Sequence, residues 1–158
     1  MFELKPLSEG QDRESLLVQA AALLAGQKDR IANAANLSSL LFYSLEDVNW
    51  AGFYFLNGSE LIVGPFQGKP ACVTIPLGRG VCGKAAETRT VQRVADVHEF
   101  DGHIACDAAS RSEIVLPLVR NGTLIGVLDI DSPTKDRFSE EDEHFLVKIA
   151  ELYVNTLE

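Results

Sequence analysis

The chain has 158 residues, of which 46% are hydrophobic, so we expect one domain over residues 1–158 with a proper buried core. Its formal net charge of −9, without clustered Lys or Arg, argues against binding to nucleic acid or to an anionic membrane surface. The first residues lack the apolar segment of a secretory signal, and no apolar run approaches the roughly 20 residues of a membrane span, so we expect a cytoplasmic protein.

The N-terminal part of the sequence predicts two helices. Residues 15–24 carry apolar side chains at helical spacing, with Ser8 as a candidate cap and Gly26 beyond the end. The second helix follows Asp29, another candidate cap. We assign both helices to core packing and neither to chemistry.

Strand patterns follow the helices. Residues 50–56 and 60–63 predict a hairpin through Asn57-Gly58, and residues 71–77 predict a third strand. The glycine-rich segment GRG at residues 78–80 lacks the endings of known phosphate loops, so we interpret it as a tight turn before a short helix.

The C-terminal half predicts three more strands and a helix. A strand at residues 91–94 precedes a polar loop at 96–112, and two strong strands, 113–119 and 123–131, flank Asn121-Gly122. Ser139 and Asp142 form an acidic capping-box pattern at the start of the last helix. Central strands between terminal helices indicate an α+β domain, an antiparallel sheet with helices mainly on one face.

Three acids belong to the strongest strand pair. Asp129 and Asp131 are two residues apart and share a face. Glu113 joins them if a three-residue turn places it opposite Asp129, whereas a two-residue turn places it opposite Ile130, on the other face. The alternative is a solvent-facing sheet edge with scattered acids. Converging carboxylates would keep a proton near neutral pH, and would offer either an acid or a seat for an ammonium group.

Two aromatic residues and the thiols complete the candidate site. Trp50 and Tyr54 share a strand face and can wall a small pocket, although core packing is the ordinary role of such residues. His103 precedes Cys106 by three residues and can favour its thiolate, or be a surface-loop histidine. A zinc site on Cys72, Cys82, Cys106 and a histidine is disfavoured, because the sequence has no C-x-x-C pair.

Several segments resemble the GAF domain family: GRGVCG at 78–83, VADV at 94–97, IVLPL at 114–118 and GVLDIDS at 126–132. A finer resemblance, to the free methionine-(R)-sulfoxide reductases, lies in AC at 71–72, the Cys82 loop, DGHIACDAAS at 101–110 and SEIV at 112–115. It runs over nearly the whole chain. It implies a six-stranded antiparallel sheet, an enclosed pocket and a reaction on the free amino acid.

The resemblance also implies roles for individual residues. Cys106 corresponds to the catalytic cysteine, Cys82 to the resolving cysteine and Cys72 to an additional cysteine that joins disulfide exchange. The acids match a carboxylate cluster, and Trp50 and Tyr54 match pocket aromatics. The implied reaction forms a sulfenic acid on Cys106 and then a disulfide, which thioredoxin reopens. No metal or organic cofactor is expected, and a homodimer is plausible.

Two other classes of function compete with this interpretation. A ligand-sensing GAF module would bind without chemistry, but it would need neither three thiols nor three acids together, and fold alone never fixes function. A cysteine hydrolase using Cys106 and His103 would need an oxyanion hole, which the sequence does not locate.

Overall fold

The computed structural model describes residues 13–102 and 109–157. Ser8, the predicted cap of the first helix, lies outside the described residues. The helices are α1 (Arg13–Leu24), α2 (Arg30–Ser44), α3 (Gly80–Thr88) and α4 (Glu140–Thr156). The strands are β1 (Trp50–Asn57), β2 (Glu60–Gly68), β3 (Thr74–Pro76), β4 (Gln92–Val94), β5 (Ser112–Arg120) and β6 (Thr123–Ser132).

The strands form one six-stranded antiparallel sheet in the order β3-β2-β1-β6-β5-β4. Side chains alternate across it, so Ala51, Phe53 and Phe55 of β1 pack with α1, α2 and α4 on one face. Trp50 and Tyr54 lie on the other face, in a smaller cluster with α3. The predicted α+β architecture, with helices mainly on one face, is therefore confirmed. Within the described ranges, no helix combines the length and apolar character needed to cross a membrane.

The last helix begins as predicted. The Ser139 hydroxyl accepts a hydrogen bond from the Asp142 amide, and the Asp142 carboxylate accepts one from the Ser139 amide. Asp142 also pairs with Arg13 of α1 at 2.9 Å and with Arg137 at 3.1 Å. One carboxylate thus caps α4 and ties it to α1, which fixes the helical layer behind the sheet.

The β5–β6 hairpin corrects the predicted turn. The loop is the two-residue kind, with Arg120 paired to Thr123 and positive φ at both Asn121 (51°) and Gly122 (77°). Ile125 is an extra residue in β6, because Val119 pairs with Leu124 while Leu118 pairs with Gly126. The bulge therefore lies in the strand and not in the turn.

This strand bulge sets the register of the acids. Glu113 lies opposite Asp131, and not opposite Asp129 or Ile130 as the two turn models predicted. Since the inserted residue shifts the pairing by one position, Glu113 still joins Asp129 and Asp131 on one face. The convergence of the carboxyl groups was predicted correctly, and the turn that produces it was not.

Candidate active site

Cross-strand pairing builds the site on the sheet face away from α1, α2 and α4. Asp131 of β6 lies between Trp50 of β1 and Glu113 of β5, so the three form one row. Asp129 lies in the next row, opposite Gly52 of β1. Three separate strands therefore contribute to the site because the sheet order places β1, β6 and β5 side by side.

These side chains line a concave pocket of about 530 Å³, its open mouth included. The lining residues are Trp50, Tyr54, Pro70, Ala71, Ile75, Arg79, Gly80, Val81, Cys82, Ser110, Glu113, Asp129 and Asp131. Six of the residues predicted from the sequence are among them; Cys106 and His103 lie outside the described residues.

Trp50 and Tyr54 form a rigid aromatic wall. Their rings stack with centroids 5.8 Å apart, and Phe66 stacks behind Trp50 at 5.1 Å. The Trp50 indole N–H donates to the Lys69 carbonyl at 3.2 Å, and the Tyr54 hydroxyl donates to the Cys72 carbonyl at 3.0 Å. Because both polar ends are engaged with backbone, the two rings present apolar surface where they line the pocket.

The carboxyl groups are packed with few compensating charges. Glu113 and Asp129 are buried and Asp131 is half-buried. Among the described residues, no Lys or Arg forms an ion pair with Glu113 or Asp129. Burial first, and then the neighbouring Asp131 and Glu113, raise the pKa of Asp129 well above its ordinary value. The cluster therefore holds a proton under conditions where an exposed aspartate is ionised.

Cys82 contacts the same cluster from the first turn of α3. Its thiol is buried and free, and Sγ lies 3.8 Å from Glu113 Oε2, within reach of a weak S–H donation. Burial, followed by repulsion from Asp129 and Glu113, raises the pKa of Cys82 well above its ordinary value. The sulfur is consequently a neutral thiol and a poor nucleophile at neutral pH.

Cys72 differs from Cys82 in both position and state. It lies beside the pocket, half-buried, with its carbonyl held by Tyr54, and it is disulfide-bonded. Cys82, expected to be the resolving cysteine, is a free and buried thiol beside Glu113. The difference arises because Cys82 faces the sheet from a helix, whereas Cys72 lies in the segment between β2 and β3.

The structure adds Arg79, which the sequence reading treated only as part of a turn. Arg79 lies at the N-terminal end of α3, with no side-chain cap, and lines the pocket with Gly80 and Val81. Uncapped amides at a helix start favour an anion, and an arginine beside them adds to that preference. The signal available in the sequence was an arginine between two glycines, Gly78 and Gly80. In the structure both glycines have positive φ and the arginine is exposed.

Comparison with known proteins assigns the family. A model of the GAF domain matches residues 13–157. The chain is 62% identical over 125 residues to the free methionine-R-sulfoxide reductase of Escherichia coli (strain K12), covering 79% of this chain and 76% of that protein. This chain belongs to the GAF domain family. Within that family, it belongs with the free methionine-R-sulfoxide reductases.

Further GAF relatives support the same placement. The Saccharomyces cerevisiae free methionine-R-sulfoxide reductase is 45% identical over 154 residues, covering 92% of this chain and 86% of that protein. The Neisseria meningitidis free methionine-R-sulfoxide reductase, solved in complex with its substrate, has a TM-score of 0.93 at 38% identity, covering 99% and 95% of the two chains. The resemblance deduced from the motifs is confirmed.

The proton held at Asp129 predicts a pH-dependent stability difference. A carboxyl group whose pKa is raised in the folded state binds more protons when folded than when unfolded. Its contribution to stability is therefore lost as pH rises above the unfolded value of about 3.9. Asp129→Asn cannot ionise, so its melting temperature should exceed that of the natural protein by a margin that grows from about pH 4 toward neutrality.

Asp136→Asn is the matched control for this measurement, since Asp136 is exposed and asparagine tolerates its positive φ of 52°. Thermal melts of all three proteins across the pH range provide the comparison. A margin for Asp129→Asn that stays constant or shrinks as pH rises would contradict the protonated carboxyl cluster.

Proposed function

We propose that this chain reduces free L-methionine (R)-sulfoxide to methionine by cysteine chemistry. The observation that carries the proposal is the proton-holding carboxyl cluster that faces a stacked aromatic wall within one pocket. A methyl sulfoxide needs both features, since its methyl group is apolar and its oxygen must accept a proton. Relatives named free methionine-R-sulfoxide reductases support the same substrate class.

The pocket offers a contact for each part of the substrate. The methyl group packs on Trp50, whose ring is fixed by Phe66 and by its bond to the Lys69 carbonyl. The sulfoxide oxygen accepts a hydrogen bond from the carboxyl cluster. The α-carboxylate lies at the start of α3, where Arg79 and the free amides favour an anion. Fixed positions for oxygen and methyl group would select one sulfoxide configuration.

The chemical step transfers one oxygen atom. A carboxyl proton on the sulfoxide oxygen makes the sulfur electrophilic, and the Cys106 thiolate attacks it. The oxygen then passes to the Cys106 sulfur, and both the substrate S–O bond and the sulfur–sulfur bond formed in the attack break. This leaves methionine and a sulfenic acid that carries the transferred proton. Sulfoxide and thiol are converted to thioether and sulfenic acid, so atoms and electrons balance.

We assign the resolving thiol to Cys72 and replace the earlier expectation of Cys82. Attack on a sulfenic acid is made by a thiolate, and the acids around Cys82 keep its sulfur protonated. Cys72 is already in disulfide form, so its sulfur can take part in such a bond. Condensation of the sulfenic acid on Cys106 with the Cys72 thiol releases water and forms a disulfide.

An external dithiol then reopens the disulfide and completes the cycle. Thioredoxin is the reductant that the family resemblance implies, and a cytoplasmic location supplies it. The electrons come from that dithiol, so the balance requires no metal or organic cofactor.

Reductant consumption tests the proposed reaction. With thioredoxin and its reductase present, NADPH should be consumed when free (R)-sulfoxide is added. Consumption should be at least about 10²-fold slower when the same sulfoxide lies inside a peptide, because an extended backbone prevents the sulfoxide from reaching the productive position. The free (S)-sulfoxide is the control substrate. No consumption with any sulfoxide would indicate a sensor or a hydrolase, and equal rates for free and peptide-bound sulfoxide would contradict an amino-acid site.

Single cysteine replacements test the thiol assignments. Cys106→Ser should release no methionine even in one turnover, since a hydroxyl is not ionised at neutral pH. Cys72→Ser should release about one methionine per chain and then stall, because the sulfenic acid lacks its partner. Cys82→Ser should continue through many turnovers. Methionine released per chain, with thioredoxin as the only reductant, is the measurement; the reverse behaviour of the Cys72 and Cys82 variants would overturn the assignment.

Amide replacements test the acid. Glu113→Gln, Asp129→Asn and Asp131→Asn each remove a potential donor and alter the charge that holds a proton on the others. Turnover should fall on the scale of general acid catalysis, about 10²- to 10⁴-fold, while circular dichroism shows an intact fold. Asp136→Asn is the control for adding an amide elsewhere. Near-normal turnover in all three cluster variants would exclude acid catalysis by these groups.

A further inference from the structure

One group of side chains in the pocket has a second chemical capacity. Cys82 Sγ, a Glu113 carboxylate oxygen and an Asp129 carboxylate oxygen all lie within 4.8 Å of one another, and all three residues are buried. The sulfur and Glu113 Oε2 are 3.8 Å apart. Ligand atoms on a tetrahedral zinc ion lie about 3.3–3.8 Å apart, given Zn–S near 2.3 Å and Zn–O near 2.1 Å. The group would need to contract by no more than about 1.5 Å.

Asp129 gives an independent indication that a positive group is missing from this arrangement. Its Oδ1 atom is buried in a residue only 5% exposed, and the described residues supply no hydrogen-bond donor to it. No Lys or Arg of the described residues pairs with Asp129. A buried, unsatisfied carboxylate oxygen is costly, and a cation at that position would remove the cost.

The donor set selects the kind of ion. A cysteine sulfur with two carboxylates suits a thiophilic divalent ion that accepts mixed S and O ligands in tetrahedral geometry, whereas Mg²⁺ prefers six oxygens. The geometry points to Cys82, Glu113 and Asp129 as a binding site for Zn²⁺ or Cd²⁺, at which the ion competes with the sulfoxide substrate. This site differs from a zinc centre of three cysteines, because Cys72 is in disulfide form.

Binding of the ion exchanges protons and changes no oxidation state. The Cys82 thiol and the proton-holding carboxyl cluster lose their protons to solvent as the ion binds, so the ion replaces the charge that those protons supplied. The bound ion then occupies the place of the sulfoxide oxygen and ties up the acid. The competition with substrate rests on the proposed function, while the binding of the ion does not.

Cadmium titration of a single-thiol variant tests the site. The chain has three cysteines, so Cys72→Ser with Cys106→Ser leaves Cys82 as its sole thiol. Adding Cd²⁺ should produce the ultraviolet thiolate-to-cadmium band, saturating at one ion per chain, and should raise the melting temperature, because an ion that binds the folded state stabilises it. The same variant with Cys82→Ser added is the control without a thiol, and Mg²⁺ is the control ion.

Carboxylate variants in the single-thiol background distinguish a built site from a lone sulfur. Glu113→Gln and Asp129→Asn should each weaken cadmium binding by at least about 10–100-fold. That is the loss seen when a residue that only supports a metal ligand is removed, and loss of a ligand itself should cost no less. Two independent variants keep the comparison valid if one fails to fold by circular dichroism. A missing band, or an affinity unchanged by both carboxylate replacements, would overturn the proposal.

The competition is measured on the same single-thiol variant. Free methionine, the proposed product, should shift the cadmium titration to higher Cd²⁺ concentration in proportion to its own occupancy of the pocket. Cadmium binding that methionine does not displace, in a variant shown by calorimetry to bind methionine, would overturn the competition. If calorimetry shows no methionine binding while cadmium still binds, the proposed function and the competition are rejected, and the ion site remains supported.

Discussion

The burial of carboxyl groups on one face of an antiparallel sheet is the constraint on which this structure depends. Glu113 and Asp129 are buried without an ion-pair partner among the described residues, and the half-buried Asp131 lies between Glu113 and Trp50. Carboxyl groups packed in this way would destabilise the fold if all of them were ionised, so the cluster keeps a proton. The burial of these acidic groups together is the common origin of the acid, of the neutral Cys82 thiol and of the preference for a cation.

The two faces of the sheet divide stability from chemistry. Ala51, Phe53 and Phe55 pack with three helices, and burial of this apolar layer contributes most to the stability of the folded state. The opposite face contributes less, because it buries carboxyl groups. Trp50 and Tyr54, which alternate with these apolar core residues along β1, face the pocket with α3. Strand alternation thus lets one short segment serve the core and the site together, and the core tolerates a site that is unfavourable in isolation.

Strand alternation also explains what could be predicted from the sequence. Period-2 patterns placed Trp50 with Tyr54 and Asp129 with Asp131, because side-chain direction in a strand follows from position alone. The register of Glu113 could not be predicted, since Gly126 beside Ile125 does not by itself reveal an inserted residue, and a slip of one residue reverses the face. Likewise, the sequence could not predict that Cys82 and Cys72 have different environments, because the environment of Cys82 depends on how α3 packs on the sheet.

The environment of Cys82 shows how one set of neighbours gives a residue its chemistry. Acids beside a buried thiol hold its proton, which makes the sulfur slow in disulfide exchange. The same acids supply oxygen atoms within 4.8 Å of the sulfur, and a divalent ion would reverse the electrostatic balance by stabilising thiolate and carboxylates at once. The neighbours that make Cys82 slow in disulfide exchange are therefore the ones that suit it to a soft cation. Under the proposed function, substrate and ion compete because both require the face of Asp129 that lines the pocket.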